Sequence, residues 1–157
     1  MMHAGGTPSA RVELVSSDGQ LVVREHARVA RLVGDVVAHA VEDLPSATIP
    51  LLNVAPRELA RLLSYARRAA DVDEPGREEV AASLVAAMDV DEGLSDLLLA
   101  ANYVDNAPLL RAASRRVGEA ITGKTVQEIR DMLGLASDMT EEEEEEVRRE
   151  NAWAFGA

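Results

Sequence analysis

Hydrophobic and polar residues alternate with a two-residue period near the start of the chain. Residues 11–15 alternate in this way, and residues 20–24 form a second, Val-rich extended stretch. The segment between them, Ser16 to Gly19, is made of turn-forming residues, so the pattern predicts a β-hairpin. A third apolar run, residues 48–52, contains Pro50 and therefore fits only a sheet edge or a strand end. The sequence predicts a small three-stranded sheet.

Most of the remaining chain has the helical period. Leu59, Leu62, Leu63 and Ala66, for example, form one apolar stripe. The acidic stretch 71–77, which contains Pro75 and Gly76, predicts a solvated loop. Helices are predicted over residues 25–44 (interrupted at Gly34 and ended by Pro45), 56–68, 78–88, 94–104 and 108–121.

Two further helices are predicted at the C-terminal end by capping boxes. Thr125 is followed by Glu128 and Thr140 by Glu143, which pairs a hydroxyl at the N-cap with an acid three residues later. Glutamates 141–146 also suit the positive end of a helix dipole. The predicted fold class is therefore α+β: a three-stranded sheet with helices, followed by an all-helical C-terminal part.

Composition and charge limit the function classes. The 157 residues include 28 Asp and Glu against 16 Lys and Arg, a formal net charge of −12. Such a surface argues against binding nucleic acid or an anionic membrane, because both need clustered basic residues and Lys124 is the single lysine. Cysteine is absent, which excludes disulfides and thiol chemistry. Without an apparent signal peptide or membrane span, we expect an intracellular protein.

One motif suggests catalysis. Residues 118–125 match the phosphate-loop pattern G-x-x-x-x-G-K-[ST]. That loop needs a buried strand before the first glycine, whereas the preceding residues have a helical, arginine-containing pattern. We therefore favour a helix that stops and restarts around Gly123, and nucleotide binding stays open as the alternative.

Other catalytic or metal-binding patterns are not apparent. His3, His26 and His39 lack the spacing of metal ligands, and no G-x-S-x-G elbow occurs. We expect no catalytic residue, no metal, no cofactor and no small-molecule substrate.

The C-terminal tail is unusual because it holds two of the four aromatic residues, Trp153 and Phe155. A chain that builds its interior from aliphatic residues has little need of an aromatic beyond a Glu-rich helix. The tail therefore either anchors another protein or folds back on its own helices.

Several sequence blocks, taken in order, resemble one known family. The blocks are Ser16-Ser17-Asp18-Gly19, Ile49 to Val54, Leu99-Ala100-Ala101-Asn102-Tyr103, Gly123-Lys124-Thr125 with Glu128-Ile129-Arg130, and Thr140 through Trp153. Together they resemble the S-phase kinase-associated protein 1 (Skp1) family, the adaptor subunits of SCF ubiquitin ligases. Residues 148–155 are most similar to the plant branch.

The resemblance implies a BTB/POZ fold over residues 11–105, preceded by a flexible arm (1–10) and followed by a C-terminal helical F-box-binding extension (106–157). It implies a non-catalytic adaptor of the nucleus and cytoplasm, which bridges a cullin scaffold to F-box proteins. Asn102 and Tyr103 would face the cullin. The residues implied to line or flank the F-box groove are Leu94, Leu98, Leu110, Ile129, Leu133 and Trp153.

The chain also departs from the family pattern. Ser95 and Met139 stand at or near positions where the family usually has Phe, and Val126 stands where it has Pro. These differences predict a divergent paralogue with fewer aromatic contacts. Alternatives are an elongin C-like adaptor, although such proteins lack the two C-terminal helices, and an F-box-binding module that has lost cullin binding.

Overall fold

The computed structural model describes residues 10–43, 48–136 and 139–154. Its sheet has three strands in the order β2-β1-β3: β1 (Arg11–Val15), β2 (Val22–His26) and β3 (Thr48–Pro50). β1 pairs antiparallel with β2 and parallel with β3. The predicted hairpin and small sheet are confirmed. The predicted arm lies almost wholly outside the described residues.

The second strand lies two residues later than its predicted position, because the turn is longer than its sequence suggests. The Ser16 hydroxyl donates to Asp18 (2.7 Å) and accepts from the Leu21 N–H (3.1 Å), and the Ser16 N–H donates to the Leu21 carbonyl (2.9 Å). These bonds extend the turn to Leu21. The prediction that a helix begins at Glu25 is therefore wrong, since β2 continues to His26.

Helices form the rest of the described chain. The predicted break at Gly34 is confirmed, because a 3₁₀ turn (Arg31–Val33) ends there and a new helix begins at Asp35. The α-helices are α1 (Ala27–Ala30), α2 (Asp35–Asp43), α3 (Pro56–Ala69), α4 (Glu74–Ala86), α5 (Glu92–Val104), α6 (Ala107–Ile121), α7 (Val126–Leu133) and α8 (Glu141–Glu150), with a final 3₁₀ turn at Ala152–Ala154.

The prediction of a loop over residues 71–77 is wrong for its second half, which is helical. α4 begins at Glu74, and the Asp73 carboxylate caps it by accepting from the Gly76 N–H at 2.9 Å. Pro75 falls in the first turn, where a missing N–H costs no intrahelical bond. Pro75 and Gly76 therefore lie in the first turn of this helix, whereas the sequence pattern predicts that they belong to a loop.

A single aliphatic core joins the sheet to the helices. Val12 and Leu14 of the central strand are fully buried, as are Leu59 and Leu62 of α3. Tyr65 is the buried aromatic residue of this cluster, and burial is the main reason that the pKa of its hydroxyl lies above 10.0. Alanines on α3, α5 and α6 also belong to it, which allows the helix backbones to approach closely.

The junction between α5 and α6 is fixed to the start of α2. The buried Asn106 side chain donates to the Val33 carbonyl (3.0 Å) and accepts from the Leu109 N–H (3.1 Å), so one amide caps α6 and joins it to the 3₁₀ turn. The Asp35 N–H donates to the Asp105 carbonyl at 3.2 Å. These bonds hold the C-terminal end of α5 in a defined position.

The same junction leaves no room for a side chain at residue 34. A Cβ atom on Gly34 would lie 2.1 Å from the carbonyl oxygen of Val104, which is a backbone atom that cannot rotate away. We expect Gly34→Ala to lower the free energy of unfolding by about 2 to 3 kcal/mol, because the helices must separate.

Urea unfolding followed by circular dichroism measures this loss. Gly118→Ala is the matched control, because its Cβ meets no heavy atom within 4 Å and it lies inside α6. That control should be neutral or more stable by about 0.5 to 1 kcal/mol. Equal stability of the two variants would contradict the close approach.

Candidate partner-binding surface

Within the predicted C-terminal extension, α7 follows α6 and packs against α5. The Thr125 hydroxyl caps α7 by accepting from the Glu128 N–H at 3.1 Å, as predicted. Leu133, near the end of α7, is buried at 7% exposure, although it does not belong to the main core cluster. α7 is therefore attached to the folded domain through a small separate contact.

The backbone at the end of α7 lies close to the Glu92 side chain at the start of α5. α7 ends at Gly134, whose φ of 66° is the left-handed conformation that favours glycine. A Cβ there would lie 2.7 Å from Oε2 and 3.0 Å from Cβ of Glu92, at the start of α5. Glycine is therefore needed at this position both for its φ and for its lack of a side chain.

α8 is held by polar interactions. The predicted capping box at Thr140 is present: its hydroxyl accepts from the Glu143 N–H (3.2 Å), and the Glu143 carboxylate accepts from the Thr140 N–H (2.8 Å). One helical turn further, Glu144 accepts from Arg130 of α7 at 2.7 Å, and both side chains are about four-fifths buried. None of the ten residues of α8 is buried, so the helix attaches without a hydrophobic contact face of its own.

The extension leaves several apolar side chains in contact with solvent. Trp153 is the most exposed large hydrophobic residue of the described chain, at 84%. Its exposure contradicts the alternative that Trp153 folds back onto the helices, while Phe155 lies outside the described residues. The others in the extension are Val126, Leu135, Met139 and Val147. Half of the exposed large hydrophobic residues in the described ranges therefore lie in the extension, and they are candidates for contact with a partner.

The residues implied for F-box binding lie at different depths. Leu94 is fully buried in the core, so in this conformation it supports the surface from beneath. Leu98 and Leu110 are partly buried at the edge of the core, on α5 and α6. Ile129 and Leu133 lie on α7, and Trp153 lies beyond α8. The six implied residues therefore come from α5, α6, α7 and the tail. Exposed residues that the resemblance did not point to, namely Val126, Leu135 and Val147, also lie in the extension.

A sequence signal for one of these residues was available. Val147 is the apolar residue of the otherwise charged α8, and it lies one turn after Glu144 on the same helix face. An isolated aliphatic residue on a charged helix marks the face that meets another surface. The exposure of Val126 and Leu135 depends on where α7 packs, which the helical period does not reveal.

The implied cullin-binding residues lie at the other end of α5. Asn102 is exposed, and Tyr103 is partly buried against the core. Leu99, one turn earlier, is 61% exposed, and Val36 on neighbouring α2 is also exposed. Asn102 and Tyr103 therefore belong to a second, mixed polar and apolar surface, which the Gly34 and Asn106 contacts hold in place.

The phosphate-loop motif does not form a phosphate loop. Its first residues, 118–121, are the last turn of α6, and the Thr122 hydroxyl donates back to the Gly118 carbonyl at 2.8 Å. Gly123 then reverses the chain with a φ of 79°, and Thr125 caps α7. A helix precedes the motif where a strand would be required. The prediction of a helix that stops and restarts is confirmed.

The described residues also offer no metal centre and no membrane span. No group of three or more His, Asp or Glu side chains in the ranges 10–43, 48–136 and 139–154 is arranged to hold a metal ion. Within those ranges, every helix is too short or too polar to cross a membrane.

The contact between Gly134 and Glu92 gives a testable prediction. We expect Gly134→Ala to cost about 2 kcal/mol locally, because the left-handed φ and the crowding against Glu92 both penalise a side chain. Hydrogen exchange of the α7 amides should then become faster, since the helix loses its docking position.

Gly123→Ala is the matched control for this change. It has the same left-handed conformation, with a φ of 79°, but its Cβ would meet no heavy atom within 4 Å. Only the conformational cost of about 1 kcal/mol should remain. If the two variants exchanged α7 amides at the same rate, the Glu92 contact would not hold the helix.

Comparison with known proteins agrees with this architecture. Residues 107–154 match the profile described as "Skp1 family, dimerisation domain". The chain is 36% identical to SKP1-like protein 13 of Arabidopsis thaliana (94% of this chain, 99% of the relative) and 36% identical to SKP1-like protein 20 of Oryza sativa (98% and 99%). It is also 30% identical to Suppressor of kinetochore protein 1 of Schizosaccharomyces pombe (92% and 98%). Relatives this similar over nearly their whole length show that the chain belongs to the Skp1 family.

Proposed function

We propose that this chain is a non-catalytic adaptor of an SCF-type ubiquitin ligase, which joins a cullin scaffold to F-box substrate receptors. The observation that carries the proposal is the set of exposed apolar side chains on the C-terminal extension, in a chain that belongs to the Skp1 family. No reaction is assigned to the chain itself, because its task is to bind two proteins at once.

The F-box side is supported by the burial pattern of the extension. α7 and α8 expose Val126, Val147 and, beyond them, Trp153, while neither helix has its own hydrophobic core. A partner helix that packs in this region would remove apolar surface from water, at about 25 cal/mol for each Å² buried. Trp153 supplies the largest single contact of this kind, which is typical of an anchor residue.

The cullin side is supported by the exposed end of α5. Asn102 offers an amide that can both donate and accept hydrogen bonds, and Tyr103 and Leu99 supply apolar area next to it. Because rigid contacts fix this end of α5 to α2, the surface is present before a partner arrives. Little ordering entropy then has to be lost on binding.

The two proposed surfaces share one helix but not the same residues. The F-box side uses Leu98, near the middle of α5, and the helices that pack beyond it, whereas the cullin side uses the last turn of α5. Both partners can therefore bind at the same time, as the proposed adaptor role requires. We propose that this adaptor acts in the nucleus and cytoplasm. The net charge of −12 would influence association rate and partner choice more than final affinity.

Two alternatives lead to different measurements. A module that has lost cullin binding would capture F-box proteins but no cullin N-terminal domain. A nucleotide-binding protein would release heat when titrated with ATP, and Lys124→Ala would abolish that heat. In residues 118–125 a helix ends and a turn follows, with no strand before the first glycine, which supports a titration without heat.

The F-box side is tested by replacing its most exposed aromatic residue. We expect Trp153→Ala to weaken binding of an F-box protein by about 2 to 4 kcal/mol, which is thirtyfold or more, because the anchor area is lost. Isothermal titration calorimetry with a panel of F-box proteins measures the change. Leu52→Ala is the control, since Leu52 is 69% exposed but follows β3, outside the extension. Equal affinity of the two variants would contradict the role of Trp153.

The cullin side is tested by changing both residues at the end of α5. We expect the double variant Asn102→Ala and Tyr103→Ala to lose capture of a cullin N-terminal domain and to keep capture of F-box proteins. Co-purification of the three proteins measures both interactions in one experiment. Cullin capture that survived the double substitution would refute the assignment of this surface, and loss of both partners would indicate a folding defect, which circular dichroism would detect.

A further inference from the structure

The basic residues of this chain are almost entirely arginine. The sequence contains fifteen arginines and one lysine, Lys124. The two side chains differ in chemistry, because the guanidinium group stays protonated and does not act as a nucleophile, whereas a lysine amine can lose its proton and accept acyl groups, including ubiquitin. The sequence therefore offers a single side-chain amine for acylation.

This amine lies in an exposed turn. Residues 122–128, which connect α6 to α7, are all exposed. The Lys124 N–H donates to the Ile121 carbonyl at 3.0 Å, and Gly123 reverses the chain just before it, so the backbone of the turn is ordered while the residue itself remains accessible. A reagent or an enzyme can reach the amine in the uncomplexed chain.

The turn also lies within the proposed F-box surface. α7 begins two residues after Lys124 with exposed Val126 and carries Ile129 in its first turn, whereas Leu110 lies at the far end of α6. A partner that covers Val126 and Ile129 contacts the first turn of α7 and therefore lies against the exposed turn that leads into it. Docking of an F-box protein would therefore remove Lys124 from contact with solvent.

We propose that Lys124 is the single side-chain acceptor of ubiquitin in this chain, and that it is accessible in the free adaptor and covered when an F-box protein is bound. This inference rests on the proposed function. The assembled adaptor would then present arginines but no reactive lysine to the ubiquitin-charged enzyme, so it would remain unmodified while substrates are modified. The unassembled adaptor would be a substrate itself.

The transfer step requires a ubiquitin thioester on a conjugating enzyme as its co-reactant. The neutral Nζ of Lys124 attacks the carbonyl carbon at the ubiquitin C-terminus, and an isopeptide bond forms. The carbon–sulfur bond breaks, and the cysteine sulfur leaves as a thiolate. The proton lost from the amine neutralises that thiolate, so no oxidant or reductant is consumed.

Accessibility is tested first with a chemical probe. The chain is treated with the N-hydroxysuccinimide ester of acetic acid, alone and with an F-box protein at ten times its dissociation constant, and acetylation of Lys124 is followed by mass spectrometry. We expect acetylation to become about tenfold slower in the complex, because about one-tenth of the chain remains free. The α-amine of the recombinant chain is the internal reference.

A relocated lysine provides the matched control. In the double variant Lys124→Arg and Arg115→Lys, the amine moves to an exposed position on α6 in the groove that faces α4. Its acetylation should be equally fast with and without the F-box protein. Protection of both positions, or of neither, would overturn the proposal, since F-box binding would then not specifically cover the turn that holds Lys124.

Ubiquitin transfer is tested in a reconstituted reaction with a charged conjugating enzyme, a cullin and a RING subunit. The free chain should be conjugated at Lys124, conjugation there should fall about tenfold when the F-box protein is added at ten times its dissociation constant, and the relocated lysine should be conjugated in both states. Conjugation of Lys124 that is equal in both states, or absent from the free chain, would overturn the proposal. F-box capture is measured separately for each variant: failed capture refutes the proposed function and this inference with it, whereas successful capture without protection refutes this inference alone.

Discussion

The buried amide of Asn106 is the interaction on which the arrangement of this protein depends. It caps α6 and binds the carbonyl of Val33, while Gly34 allows the backbone of α5 to lie directly against the start of α2. An unpaired amide in that position would cost about 1 to 3 kcal/mol, so its bonds strongly favour one geometry. That geometry fixes the C-terminal end of α5, and with it the surface proposed to meet the cullin.

The stability of the protein is distributed unevenly around this junction. Leu, Val and Ala side chains fill one continuous core between the sheet and α3 to α6. Beyond this core, α7 has one buried residue, Leu133, and α8 has no buried residue. The hydrophobic surface that a folded domain would normally bury is instead left available on the extension, which is consistent with an adaptor whose final packing is completed by another protein.

The sequence predicted which helices and strands form better than it predicted the residues at which they begin and end. Apolar periodicity and turn residues located the sheet and most helices, and the Thr140 capping box was correct in both of its bonds. The start of α4 differs from the prediction, because Pro75 and Gly76 are typical of a loop but are also tolerated in the first turn of a helix. For the partner surface, the resemblance pointed to Leu94 and Trp153 alike, but only packing shows that Leu94 is enclosed and Trp153 exposed. Burial depends on contacts between distant segments, which local patterns do not contain.

The attachment of α8 has a consequence for the proposed F-box surface. A helix docked by interlocking apolar side chains has one resting angle, whereas α8 is attached to α7 by the ion pair of Arg130 and Glu144 and adds no buried residue of its own. Such a tether permits small rotations at low energetic cost. Under the proposed function, receptors with differently shaped helices would bind the same extension, and each complex would select its own tilt of α8.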